Sequence, residues 1–272
     1  MKTDTAVTPA ERTRGAGALG TGLDILEALA ANDPGMGVTA VARLLDLDKG
    51  NVHRLLQVLG ERGYVEQDPR SKAYRVSAQV VTLAGSLLRG MDLLGAAKPV
   101  MRRLSGETGE AVHLARRIRT GGVYVARERQ LGGVVTVETE IGAHPIIHAT
   151  ATGKALFCMA GAEELAAAVA QPMTAYTPRT ITSVDELLLD LAKVQKRGYA
   201  IDDEELNLDV RCVAAPIFDM YGMPMASVGI SGPVTRVSLA RVDELGRQVH
   251  AAAAQVTREL GGYDPTTKEN QK

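Results

Sequence analysis

Tryptophan is missing, phenylalanine occurs only twice, and aromatic residues make up 3% of the 272. Any core must therefore be assembled from Leu, Val, Ile, Ala and Met, within an ordinary apolar content of 45%. Cysteine is almost missing too. Cys158 and Cys212 provide no disulfide framework and fit a reducing compartment. No apolar run approaches the ~20 residues that span a bilayer, so no membrane partner is expected. The N-terminal stretch is polar and has no apolar signal core, so a cytoplasmic location is expected. Charge of one sign is lacking as well. The formal net charge is −1, which argues against nonspecific polyanion binding but leaves room for a local basic face. G-x-S-x-G, H-E-x-x-H, C-x-x-C and the P-loop do not occur, so no catalytic residue, metal site or cofactor is assigned. GAGALG at 15–20 matches G-x-G-x-x-G, but no strand precedes it and no βαβ unit surrounds it.

The informative stretch is 38–76. Val52, Leu55, Leu56 and Leu59 recur at helical spacing, so one face of a helix there is apolar. Gly50, His53, Arg54 and Gln57 point the other way, flanked by Lys49 and Asn51. Such a face suits the major groove of DNA: Gly50 lets the backbone approach, and Arg54 can pair with guanine or phosphate. The preceding helix buries Val41, Leu44 and Leu45, with Thr39 as its N-cap. Asp46-Leu47-Asp48 makes the turn, and Asp48 caps the second helix. After Gly63, alternating residues either side of Asp68-Pro69 signal a hairpin, with Arg70 and Lys72 at its tip. From Lys49 to Arg75 six basic residues face three acidic ones. The pattern is a helix-turn-helix with a basic wing.

Residues 51–76 resemble the winged helix of the IclR family of bacterial transcription regulators. The resemblance continues through HATATGKAL (148–156), YTPRTIT (176–182), RGYAIDDEE (197–205), VRCVAAPIFD (210–219) and SVGISGP (227–233), from residue 19 to about 260. It implies an α+β chain: a flexible tail (1–16), a winged helix-turn-helix DNA-binding domain (17–77), a linker helix (78–95), a GAF-like α/β effector-binding domain (96–262) and a second flexible tail (263–272). It implies DNA contacts from Thr39, Lys49, Gly50, Asn51, His53, Arg54, Gln57, Arg70 and Lys72. It further implies a carboxylate effector held by Ala151, Thr152, Asp202, Cys212, Gly229 and Ser231. The partners that follow are double-stranded operator DNA, an organic acid or related metabolite, and a second copy of the chain, as a dimer or dimer of dimers.

Elsewhere the chain reads directly. A first helix carries Leu19, Leu23, Leu26 and Ala30 and ends at 32–35. Helices are expected at 78–89 and 93–107. Strands are expected at 111–119 and 122–129 with a Gly-Gly turn between them, and at 133–141, 210–218 and 225–231. Further helices begin near Thr152, span 184–197 behind a Ser183-x-x-Glu186 capping box, and span 239–260. His144 and His148 lack a third nearby metal ligand. The carboxylates at 202–205 read as a solvated loop with one member turned inward. Cys158 lies among apolar neighbours and reads as core. The start of the helix near Thr152 exposes backbone N–H groups suited to a carboxylate. Gly229 stands where some relatives with small keto-acid effectors have serine. That change is expected to make room for an effector larger than glyoxylate or pyruvate, with a donor facing Asp202. A metabolic enzyme using Cys212 or the 202–205 cluster is the alternative, but no nucleophile with a partnered base is visible. A ligand sensor without DNA binding is the other.

Overall fold

The computed structural model describes residues 17–32, 34–83, 93–119, 121–128, 139–169 and 172–266. They fall into two compact units, Met1–Met91 and Asp92–Lys272.

The first unit contains helices α1 (Ala18–Ala30), α2 (Val38–Leu45) and α3 (Lys49–Glu61) and strands β1 (Val65–Gln67) and β2 (Tyr74–Val76). Ile25, Leu29, Val41, Val52, Leu55, Leu56, Val65 and Tyr74 form its core. The expected stripe on α1 is rotated. Ile25 and Leu29 are buried, whereas Leu19 is 80% and Leu23 51% exposed. Apolar residues lie all round this helix, so periodicity alone could not choose its inner face. On α2, Val41 and Ala42 are buried while Leu44 is exposed. Thr39 is not its N-cap. Gly37 holds that place in extended geometry, and Thr39 lies exposed in the first turn. Asp46 adopts φ 53°, which ends α2, and the Asp48 carboxylate accepts the Asn51 N–H at 2.9 Å to start α3.

β1 and β2 pair antiparallel, with Glu66 opposite Arg75. An isolated bridge between Met36 and Tyr74 adds a short third edge. At the hairpin tip Asp68 accepts from the backbone of Arg70 and Ser71 and from the Ser71 hydroxyl, fixing the loop that carries Arg70 and Lys72. Of the expected linker, residues 79–83 are helical, and 84–92 lie outside the described residues.

The second unit holds α4 (Leu93–Thr108), β3 (Ala111–Ile118), β4 (Gly121–Glu128), α5 (Ala151–Leu156), α6 (Ala162–Ala168), α7 (Val184–Arg197), β5 (Ala200–Asp203), β6 (Val210–Phe218), β7 (Pro224–Pro233) and α8 (Val242–Glu259). Residues 93–95, expected in the linker, belong to α4. The sheet runs β4-β3-β7-β6-β5, every pair antiparallel. Long stretches of β3, β6 and β7 are buried at consecutive positions, so both faces of the sheet are covered. α4 and α8 pack together and against it. Ala115, Ala200 and Ala214 share another cluster with residues of α5, α6 and α7. Ser183 caps α7 as expected, accepting the Glu186 N–H at 3.2 Å.

Four expectations change. Gly121 and Gly122 open β4 rather than forming a turn, and a Cβ on Gly122 would lie 2.4 Å from Leu156 Cδ1. α6 and β5 were not expected as elements. The expected strand at 133–141 falls mostly on 129–138, outside the described residues, and 139–141 are not a strand. Residues 263–266 of the expected tail at 263–272 are packed instead. Tyr263 N–H bonds to Asp219 O, and Asp264 and Thr266 are buried against His250; 267–272 lie outside the described residues.

Candidate functional site

Two sites were expected, one in each unit. In the first, α3 turns Val52, Leu55 and Leu56 into the core. Lys49, Gly50, His53, Arg54 and Gln57 are exposed on the other side, and Asn51 is half-buried. Arg54 Nη2 donates to Asn51 Oδ1 at 3.2 Å, a contact that holds the guanidinium along the helix. Arg70 and Lys72 are exposed at the hairpin tip. Arg75 is spoken for, its Nε bonding Glu66 at 2.8 Å across the ladder.

In the second unit, strand register brings together the strand residues expected to hold an effector. Asp202 pairs with Cys212, Cys212 with Ser231, and Ser231 with Ala111. Two residues along each strand, Ala200 pairs with Ala214, Ala214 with Gly229, and Gly229 with His113. Alternation puts both rows on one face, the face whose Ala115, Ala200 and Ala214 pack with Ala151 and Ala155 of α5. The floor is thus built of small side chains.

The groups around that floor are polar, Asp202 buried and Tyr124, Cys212 and Ser231 half-buried. Asp202 is 2% exposed and accepts the Glu205 N–H at 2.8 Å. Burial pushes its carboxyl up to about 6; the Glu205 charge pushes the same way, while the Glu205 N–H and Lys154 oppose them. The Cys212 thiol is pushed well above its ordinary value by burial and by Asp202 beside it. An activated nucleophile needs the reverse. Tyr124 is pushed up by burial, and the hydroxyls of Thr152 and Thr150 counteract it. Thr150 caps α5 by accepting the Gly153 N–H at 2.9 Å. The Gly153 amide is therefore occupied, whereas those of Ala151 and Thr152 make no hydrogen bond among the described residues.

The 202–205 cluster is not a solvated loop. Glu205 turns inward with Asp202, and both its oxygens accept from Lys154 Nζ, at 2.8 and 3.0 Å. Lys154 is fully buried and also reaches Asp190 at 2.9 Å. Arg179 and Arg211 hold Asp203. Thr177 and Thr180 of the 176–182 motif donate to the carbonyls of Glu204 and Glu205 at 2.7 and 2.5 Å. The acidic run is a bracket that fixes Asp202.

The C-terminal domain of IclR-type bacterial transcriptional regulators matches residues 85–258, and the IclR helix-turn-helix domain matches 18–69. The chain belongs to the IclR family. It is 33% identical over 259 residues to the transcriptional repressor IclR of Escherichia coli K12, covering 94% of each chain. It is 33% identical over 250 residues to the regulator BhcR of Paracoccus denitrificans, covering 91% of this chain and 88% of that one. Among solved structures, a regulator from Silicibacter superposes with a TM-score of 0.82 at 26% identity, over 92% of this chain and 98% of its own.

In this IclR-family chain the register brings Asp202, Cys212 and Ser231 into one row, with Gly229 two residues away on the same face. It corrects the expectation for Gly229. A Cβ there would stand 2.6 Å from Ala214 Cβ and 2.8 Å from Val213 O, so the glycine opens no space. It lets β6 and β7 approach at Ala214 and Val213. His144 and His148 go to separate carbonyls, Gly122 O at 2.7 Å and Thr174 O at 3.0 Å. Cys158 is core, its thiol pushed up to about 12 by burial. Sequence reasoning passed over Tyr124, Lys154 and His113. A signal for His113 did exist: a histidine flanked by Val112 and Leu114 in a strand shares the face of Ala111 and Ala115.

Proposed function

We propose that this protein is a repressor that binds a roughly palindromic operator as a homo-oligomer, with an organic acid or related metabolite setting its operator affinity. The division of α3 carries the reading: its apolar stripe is buried while Lys49, Gly50, His53, Arg54 and Gln57 stay exposed beside a hairpin tip bearing Arg70 and Lys72. In this reading α3 enters the major groove, Arg54 reaches a base edge or phosphate, and Thr39, Arg70 and Lys72 meet the backbone. Asn51 positions Arg54. The effector lies over the small-residue floor, its acid group near the Ala151 and Thr152 amides and its other end near Asp202, Cys212 and Ser231. The repressors among the relatives favour repression over activation. No step in this reading needs catalysis.

A mobility-shift titration on the DNA upstream of the protein's own gene tests the reading. Arg54→Ala should weaken binding by about ten-fold or more at unchanged melting temperature, and binding should weaken steeply with salt. Wild-type affinity from Arg54→Ala would remove α3 from the interface.

A further inference from the structure

His113 lies in the middle of β3, 2% exposed, and neither ring nitrogen has a hydrogen-bond partner among the described residues. Two unmet polar atoms on one buried side chain are costly and uncommon. Its neighbours cannot serve them. Gly229, directly opposite on β7, has no side chain, and Ala111 and Ala115 on the same face have nothing to offer. Tyr124 meets the ring edge-to-face at 6.0 Å, a packing contact. Arg127, opposite on β4, turns its guanidinium to Thr139 O at 3.1 Å. A register shift between Leu114 and Ala115 offsets β4 here, bringing Tyr124 opposite Ala115. The imidazole therefore faces the small-residue floor from the side opposite Asp202.

We propose that His113 is a specificity-determining residue of the effector site. Its imidazole hydrogen-bonds an oxygen at the end of the effector remote from Asp202, and so selects acids long enough to reach from β5 to β3. The inference rests on the effector reading given above. A neutral imidazole offers one donor and one acceptor, which suits a carboxylate or hydroxyl and gives an apolar end nothing. The two residues stand three strands apart, about 14 Å at ~4.8 Å per strand. Even with both side chains leaning inward, an acid the size of glyoxylate cannot bond both. The matching ligand class is a carboxylic acid with a hydroxyl at its far end, the hydroxyl donating to Asp202.

The test is calorimetric titration of the full chain with ω-hydroxy acids of increasing length, from glycolate to ω-hydroxyoctanoate. Wild-type affinity should peak at a member well beyond glycolate. His113→Phe should weaken that member about ten-fold, the loss of one hydrogen bond, and leave glycolate unchanged. His113→Gln, which keeps a donor and an acceptor, should retain most of the affinity. In wild type, saturation with the tightest member should move the His113 ring ¹⁵N resonances, a readout that needs no variant. If the longer acids bind wild type and His113→Phe alike, or the ring resonances stay put, the role of His113 falls while the pocket stands. If no member of the series binds wild type, the acid-binding reading of the pocket falls and this inference with it.

Discussion

Asp202 and His113 are buried titrating groups whose effects on stability have opposite signs. The folded-state pKa of Asp202 is raised from 3.8 to about 6, so its contribution is complete below 3.8 and lost as pH rises through 6. Asp202→Asn keeps the oxygen that accepts the Glu205 N–H and removes the charge. It should raise the melting temperature above pH 7 and match wild type near pH 4, with a gain of at most about 3 kcal/mol at ~1.4 kcal/mol per pKa unit. Burial lowers His113 from 6.5 to about 4, so its contribution is present above 6.5 and lost as pH falls towards 4. Melts of Asp202→Asn and His113→Phe across pH 4–8 should therefore diverge from wild type at opposite ends. The 202–205 run and the 148–156 motif marked this region in the sequence. The inward turn of Glu205 was not legible, because its partner Lys154, shared with Asp190, is remote in the chain.

At the scale of elements, the join between β6 and β7 depends on Gly229. Gly229→Ala would push a methyl against Ala214 and the Val213 carbonyl, and neither backbone can yield without parting the strands. The expected cost is about 1–3 kcal/mol, read by chemical denaturation, with weakened binding of any acid the wild type takes. An unchanged denaturation midpoint would show that the strands have slack. α3 depends instead on local chemistry. Its N-cap at Asp48, its buried Val52, Leu55 and Leu56, and its opposite polar face were all readable, because each lies within a few residues of its partner. α1 shows where that legibility ends. With apolar residues on every side, only contact with α2 and α3 selected Ile25 and Leu29 over Leu19 and Leu23.

For the molecule as a whole, two compact units with separate cores should unfold separately. Scanning calorimetry of the full chain should resolve two transitions, and an effector acid should raise only the one belonging to the second unit. A single transition moved as a block by the ligand would show that the units unfold together. The sequence alone determined the order of most helices and strands, the inner face of α3 and the basic hairpin tip, since periodicity, caps and turns act over a few residues. Only tertiary structure decided that β3 lies beside β7, that His113 therefore faces Gly229 across from Asp202, and that Lys154 is buried between two carboxylates. Strand order and register join residues far apart in the chain, and no local pattern carries that information.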